Sequence, residues 1–194
     1  MFKLQLPTDP RWAHVAEENI EEILTDHAYC EQKAASSAIS MIVHFPEHTE
    51  LVDAMAELAR EEMEHFQMVM DHLKQRGLKL GRERKDEYVR DLQAFFEKGG
   101  SKKQNLINKL LLAAMIEARS CERFRVLSEN IKDKELSEFY RKLMKSEANH
   151  YSMFLQFAKK YGKPEIDVDQ LWEDFLEFEG KVIARYGQKE FMHG

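Results

Sequence analysis

The chain of 194 residues is poor in the residues that interrupt helices, with only four prolines and eight glycines. So few breakers leave room for long uninterrupted helices. Two cysteines, Cys30 and Cys121, follow no metal-knuckle or redox spacing, so a cysteine-held zinc or iron–sulfur cluster is excluded and two reduced, buried thiols are expected. No apolar run approaches the length a bilayer needs, and the N-terminal MFKLQLPTDP has no apolar core of a secretory signal. A cytoplasmic protein without a membrane segment is therefore expected. Alternating apolar and polar positions, the mark of half-buried strands, are also missing.

What is present is charge. One residue in three is ionic and the net charge is −6, which fits a globular chain and argues against a general nucleic-acid binder. The distribution is uneven, because KQRGLKLGRERKDEYVR, residues 74–90, holds seven Lys or Arg against three acids.

Punctuation divides the chain. Thr8-Asp9-Pro10 reads as a helix start, with helical pattern running from there, with a break, to about His44, where Pro46 stops it. A second helix covers about 48–76 and ends at Gly77, and a basic connection follows to Ser101 with a short helix inside it. Helices over about 102–131 and from Lys132-Asp133 to about Tyr161 form a second pair, and an amphipathic helix spans about 167–186. Two tight helical hairpins joined by a long crossover predict a single all-α domain: a four-helix bundle over about 17–161 with peripheral helices.

The second helix raises the chemical question. Val52, Met55, Leu58, Ala59, Phe66, Val69 and Leu73 form one stripe, and Glu62 and His65 fall on it. The fourth helix repeats this with Glu147 and His150 among Leu136, Tyr140, Leu143, Phe154 and Ala158. Glu-x-x-His alone is weak, because Glu190 and His193 match it too, and that pair reads as coincidence. The partners in the preceding helices strengthen the pattern. Glu31 lies among Ala28, Ala34, Ala35, Ala38 and Ile42, and Glu117 lies among Leu110, Ala113, Ala114 and Phe124. The separations agree: 31 residues from Glu31 to Glu62 and 30 from Glu117 to Glu147.

Four carboxylates inside a bundle must be protonated, paired or metallated, since desolvation and mutual repulsion oppose their ionised forms. Two divalent ions would cancel four negative charges, and two imidazoles would complete the ligands. That oxygen and nitrogen set suits iron, with manganese second, rather than structural zinc. Glu31, Glu62, His65, Glu117, Glu147 and His150 are the expected metal ligands, in the arrangement general to ferritin-like di-iron proteins. Ion pairs with Lys33, Arg119 or Arg123 are the competing explanation for the acids. Glu122 is the rival ligand to Glu117, Glu61 and Glu64 are expected at the surface, and His27 and His72 near the site rather than in it.

The segments DHAYCEQKAASSA, AREEMEHF, GRERKDEYVRDL, IEARSCERF and SEANHY resemble the bacterial tRNA 2-methylthio-N6-isopentenyladenosine hydroxylase family, over most of residues 10–186. The resemblance implies a ferritin-like, non-haem di-iron monooxygenase that uses O₂ to hydroxylate an isopentenyl group on the adenosine beside the anticodon. It implies tRNA as substrate and an external electron donor of reductase or ferredoxin type. Arg82, Arg84, Lys85, Lys102 and Lys103 then become candidates for holding anticodon-loop phosphates, against the plainer reading of a solvated basic loop. Two other functions share such a scaffold. One is a di-iron oxidase or peroxidase of small molecules, and the other is an iron-storage ferroxidase. Storage is disfavoured by two matching half-sites, and a storage cage would elute at very large size.

Overall fold

A computed structural model describes residues 2–85, 87–97, 99–186 and 192. Seven helices account for most of them: α1 (Trp12–Glu18), α2 (Ile20–His44), α3 (Thr49–Gln75), α4 (Glu87–Gln93), α5 (Lys102–Asn130), α6 (Lys134–Gly162) and α7 (Val168–Ile183). No strand occurs among the described residues. Contacts group them into two compact units, one of residues 2–17 and 87–186 and one of residues 18–85 with Met192.

The unit of residues 18–85 is the α2–α3 hairpin and the start of the crossover. α2 stops at Phe45, whose N–H reaches Met41 O at 3.0 Å, and Pro46 follows. α3 ends in a Schellman closure: Gly77 at φ +68° lets its own N–H bond Lys74 O and that of Leu78 bond Leu73 O. The chain then runs back along α2, where Gly81 N–H donates to Thr25 Oγ1 at 3.2 Å and Tyr29 Oη to Gly81 O at 3.1 Å. A Cβ at Gly81 would lie 3.3 Å from Thr25 Cγ2, so the close approach needs glycine or a small shift.

The other unit is built on the α5–α6 hairpin, with α1, α4 and α7 around it. Ser101, Asp133 and Asp167 cap α5, α6 and α7 by accepting the N–H groups of Gln104, Leu136 and Gln170. Phe95 and Phe96, just after α4, pack on Phe175 of α7 with ring centroids 4.8 Å apart in each case. A buried polar network ties the helices together. Arg119 of α5 donates Nη2 to Glu179 Oε1 at 2.6 Å, and the Tyr88 hydroxyl of α4 reaches the same oxygen at 2.9 Å.

The expected boundaries hold to within a few residues except at the two ends. Asp9 and Pro10 open a turn rather than the helix itself, with Trp12 N–H bonding Asp9 O, and α1 begins at Trp12. The last helix stops at Ile183, short of the expected Tyr186. The Glu190 and His193 match lies outside the described residues.

Candidate metal centre

Each hairpin carries a buried carboxylate, carboxylate and imidazole group. In the α2–α3 hairpin, Glu31, Glu62 and His65 are 5%, 0% and 7% exposed. His65 Nδ1 lies 3.3 Å from Glu62 Oε2 and 3.9 Å from Glu31 Oε2. The i, i+3 spacing puts Glu62 and His65 on neighbouring turns of the stripe that also buries Leu58 and Val69. In the α5–α6 hairpin, Glu117, Glu147 and His150 are 5%, 3% and 4% exposed. His150 Nδ1 stands 3.8 Å from Glu147 Oε2 and 4.0 Å from Glu117 Oε2. Within either group the three residues offer ligand atoms all within 4.8 Å of one another.

Each of the cations that could make these acids ordinary ion pairs has a contact of its own. Lys33 pairs with Glu83 at 3.0 Å. Arg119 binds Glu179, and Arg123 stacks its guanidinium 4.2 Å above the Trp12 ring. Glu122, the rival ligand, is held by Thr8 N–H at 2.8 Å and by the Thr8 hydroxyl and Arg119. The tie to Thr8 spans 114 residues, which is why sequence spacing alone leaves Glu122 as a rival. Glu64 pairs with Arg60 at the surface, and His72 Nδ1 meets Arg76 near the end of α3. His27 differs from His72: it is fully buried, with Nε2 2.6 Å from Glu31 Oε1.

Cys121 sits one turn after Glu117 and donates its thiol to Met144 O at 3.1 Å. Burial, with the Glu147 carboxylate nearby, pushes that thiol up to about 12, and the ligand atoms that gather in this hairpin are those of Glu117, Glu147 and His150 rather than its sulfur. The donor set in each hairpin is therefore two carboxylates and an imidazole, all hard or borderline ligands. Such buried groups fit a divalent ion of the iron or manganese kind.

A tRNA-(MS[2]IO[6]A)-hydroxylase (MiaE) family model matches residues 2–194. The chain belongs to that family. A MiaE-family relative from Pseudomonas putida, a tRNA 2-(methylsulfanyl)-N(6)-isopentenyladenosine(37) hydroxylase, is 40% identical over 190 residues, covering 98% of this chain and 91% of the relative. A hydroxylase of the same name from Salmonella typhimurium is 28% identical, covering 84% and 77%. Among solved structures, a Synechococcus protein with aldehyde deformylating oxygenase activity superposes with a TM-score of 0.88 at 33% identity, covering 98% of this chain and 95% of that one. The expected all-α, ferritin-like fold class and the hydroxylase assignment both hold for this MiaE-family chain.

The basic residues do not form a uniform free surface. Arg82 and Lys85 are exposed in the loop after α3, while Arg84 reaches Glu22 O at 3.4 Å. Lys102 is exposed at the start of α5, and Lys103 pairs with Glu165 at 2.5 Å. Among the described residues no helix is long and apolar enough to cross a membrane.

Proposed function

We propose that this chain is a di-iron, O₂-dependent hydroxylase of the isopentenyl side chain of 2-(methylsulfanyl)-N6-isopentenyladenosine next to the anticodon of tRNA. The supporting observation is the pair of buried carboxylate–imidazole groups in a chain of the MiaE family. Glu31, Glu62 and His65 on one hairpin, with Glu117, Glu147 and His150 on the other, are the ligands of two irons, and both units work as one domain. Each group brings two negative charges and an imidazole, which one divalent ion offsets. Manganese would satisfy the same ligands, but O₂ reduction favours iron.

The two ions, when bound, supply the two-electron activation of O₂. The balance is R–H + O₂ + 2 e⁻ + 2 H⁺ → R–OH + H₂O, with both electrons delivered by an external reductase or ferredoxin. The chain's own residues hold the charge and keep water away. Ala35 and Ala38 on α2, and Leu110, Ala114 and Ala118 on α5, bury the helix faces that bear Glu31 and Glu117. Arg82 and Lys85 are the best placed phosphate contacts, since both are exposed. Arg84, Lys102 and Lys103 join only by giving up contacts they make here. The reaction takes place in the cytoplasm, with its tRNA substrate.

The test is single turnover. Chain loaded with Fe²⁺ is reduced, given O₂ and isopentenylated tRNA, and the nucleosides are digested and weighed. A gain of one oxygen on the modified adenosine is expected. An unchanged nucleoside alongside oxidised iron would overturn the tRNA reading. It would favour small-molecule oxidation, the reading prompted by the solved oxygenase at 33% identity. Glu117→Ala should lose one of the two irons, and retention of both would remove Glu117 from the ligand set.

A further inference from the structure

We propose that His27 is a positioning residue for Glu31, one that fixes which carboxylate oxygen is offered to metal and supports only one of the two metal positions. The inference rests on the di-iron reading above. His27 precedes Glu31 by one turn of α2, is fully buried, and has Nε2 2.6 Å from Glu31 Oε1. A metal-bound carboxylate is ionised and only accepts hydrogen bonds, so toward a metal-bound Glu31 the imidazole would donate its Nε2–H. That bond engages Oε1 and leaves Oε2, the oxygen 3.9 Å from His65 Nδ1, turned toward the other ligand groups of the hairpin.

The second hairpin has no counterpart. Aligning Ala28 with Ala114, Glu31 with Glu117 and Lys33 with Arg119 puts Ala113 where His27 stands. A methyl group donates no hydrogen bond, so this position can supply a side-chain donor to a ligand in the first hairpin and cannot in the second. Packing alone does not account for the imidazole, because an apolar side chain would fill the same space without a polar group to desolvate. Partners that orient a metal ligand typically contribute about 10–100-fold to metal affinity.

The test is equilibrium titration of metal-free chain with Mn²⁺, following free ion by its paramagnetic resonance signal, on wild type, His27→Leu and His27→Gln. Glutamine can place an amide N–H close to the position of Nε2, whereas leucine cannot. Wild type should bind two ions. His27→Leu should weaken one of them by about 10–100-fold and leave the other unchanged. His27→Gln should stay near wild type. Equal affinity for both ions in wild type and in a His27→Leu chain with native helical content would overturn the assignment. So would a His27→Gln variant as impaired as His27→Leu, which would reduce His27 to a packing role. Wild-type chain that takes up fewer than two ions would overturn the di-iron reading, and the His27 assignment with it. Wild type with two ions that the leucine variant matches overturns the His27 assignment alone.

Discussion

Replacing Glu179 by leucine tests the physical account of the unit built on α5 and α6. Glu179 Oε1 accepts from Arg119 Nε at 3.1 Å, from Arg119 Nη2 at 2.6 Å and from the Tyr88 hydroxyl at 2.9 Å, and all three residues are buried. Leucine removes the acceptor and leaves the buried guanidinium with Leu6 O at 3.1 Å, Glu122 Oε2 at 3.3 Å and the neutral Tyr88 hydroxyl. Removing one partner of a buried ion pair costs about 3–5 kcal/mol, chiefly because the other charge stays buried. With a urea dependence of about 3 kcal/mol per molar, the midpoint should fall by about 1–1.7 M. Glu179→Gln keeps an acceptor without the charge and should fall between leucine and wild type. The double variant Arg119→Met with Glu179→Leu removes both charges and should recover much of the loss. A fall under about 1 kcal/mol for Glu179→Leu, or a double variant as costly as the two single changes added together, would refute the reasoning.

Burial beside the Glu179 carboxylate holds the Tyr88 phenol well above its ordinary 10, so the folded chain keeps a proton that the unfolded chain loses. Stability should therefore be full below pH 10 and decline as pH rises past it, and Tyr88→Phe should flatten that decline in urea melts between pH 9 and 11. Cys121, pushed up to about 12, should resist iodoacetamide at pH 8 in the native chain while half-buried Cys30 reacts faster, as peptide mass mapping would report. Replacing Arg82 and Lys85 together by alanine should weaken tRNA binding and lower the salt dependence of log K by roughly one per lost phosphate contact. An unchanged slope in filter binding would take the loop out of the interface.

The candidate ligands were legible because helical geometry makes them so. Glu62 and His65 stand three residues apart on a face that Leu58 and Val69 define, and the same face recurs around Glu147 and His150. The pairing of His27 with Glu31 was also within reach of sequence, since i, i+4 neighbours meet on a helix surface. Composition alone could not distinguish that imidazole from His72, which turns up near the end of α3 with Arg76. The network at Glu179 was hidden for a different reason. Its partners lie 60 and 91 residues away, and no local pattern links positions at that range. Glu122 illustrates the same limit: Thr8 holds it from the N-terminal segment, so a carboxylate with good ligand credentials does structural work instead.

Glu122 and Glu117 show how one helix can carry two kinds of buried acid. Both lie on α5 and both are nearly inaccessible, 2% and 5% exposed. Glu122 is surrounded by donors: a backbone N–H, a hydroxyl and guanidinium groups answer its oxygens. It needs nothing from outside the chain. Glu117 has an imidazole 4.0 Å away and a second carboxylate on the facing helix of its hairpin. A carboxylate among carboxylates is unfavourable unless a cation joins them. The difference between the two acids is thus one of neighbours, not of burial, and it is its neighbours that make Glu117 the candidate metal ligand. For the other pairs burial already decides: Glu31 is buried where Glu64 is exposed, and His65 is buried where His72 is half-buried.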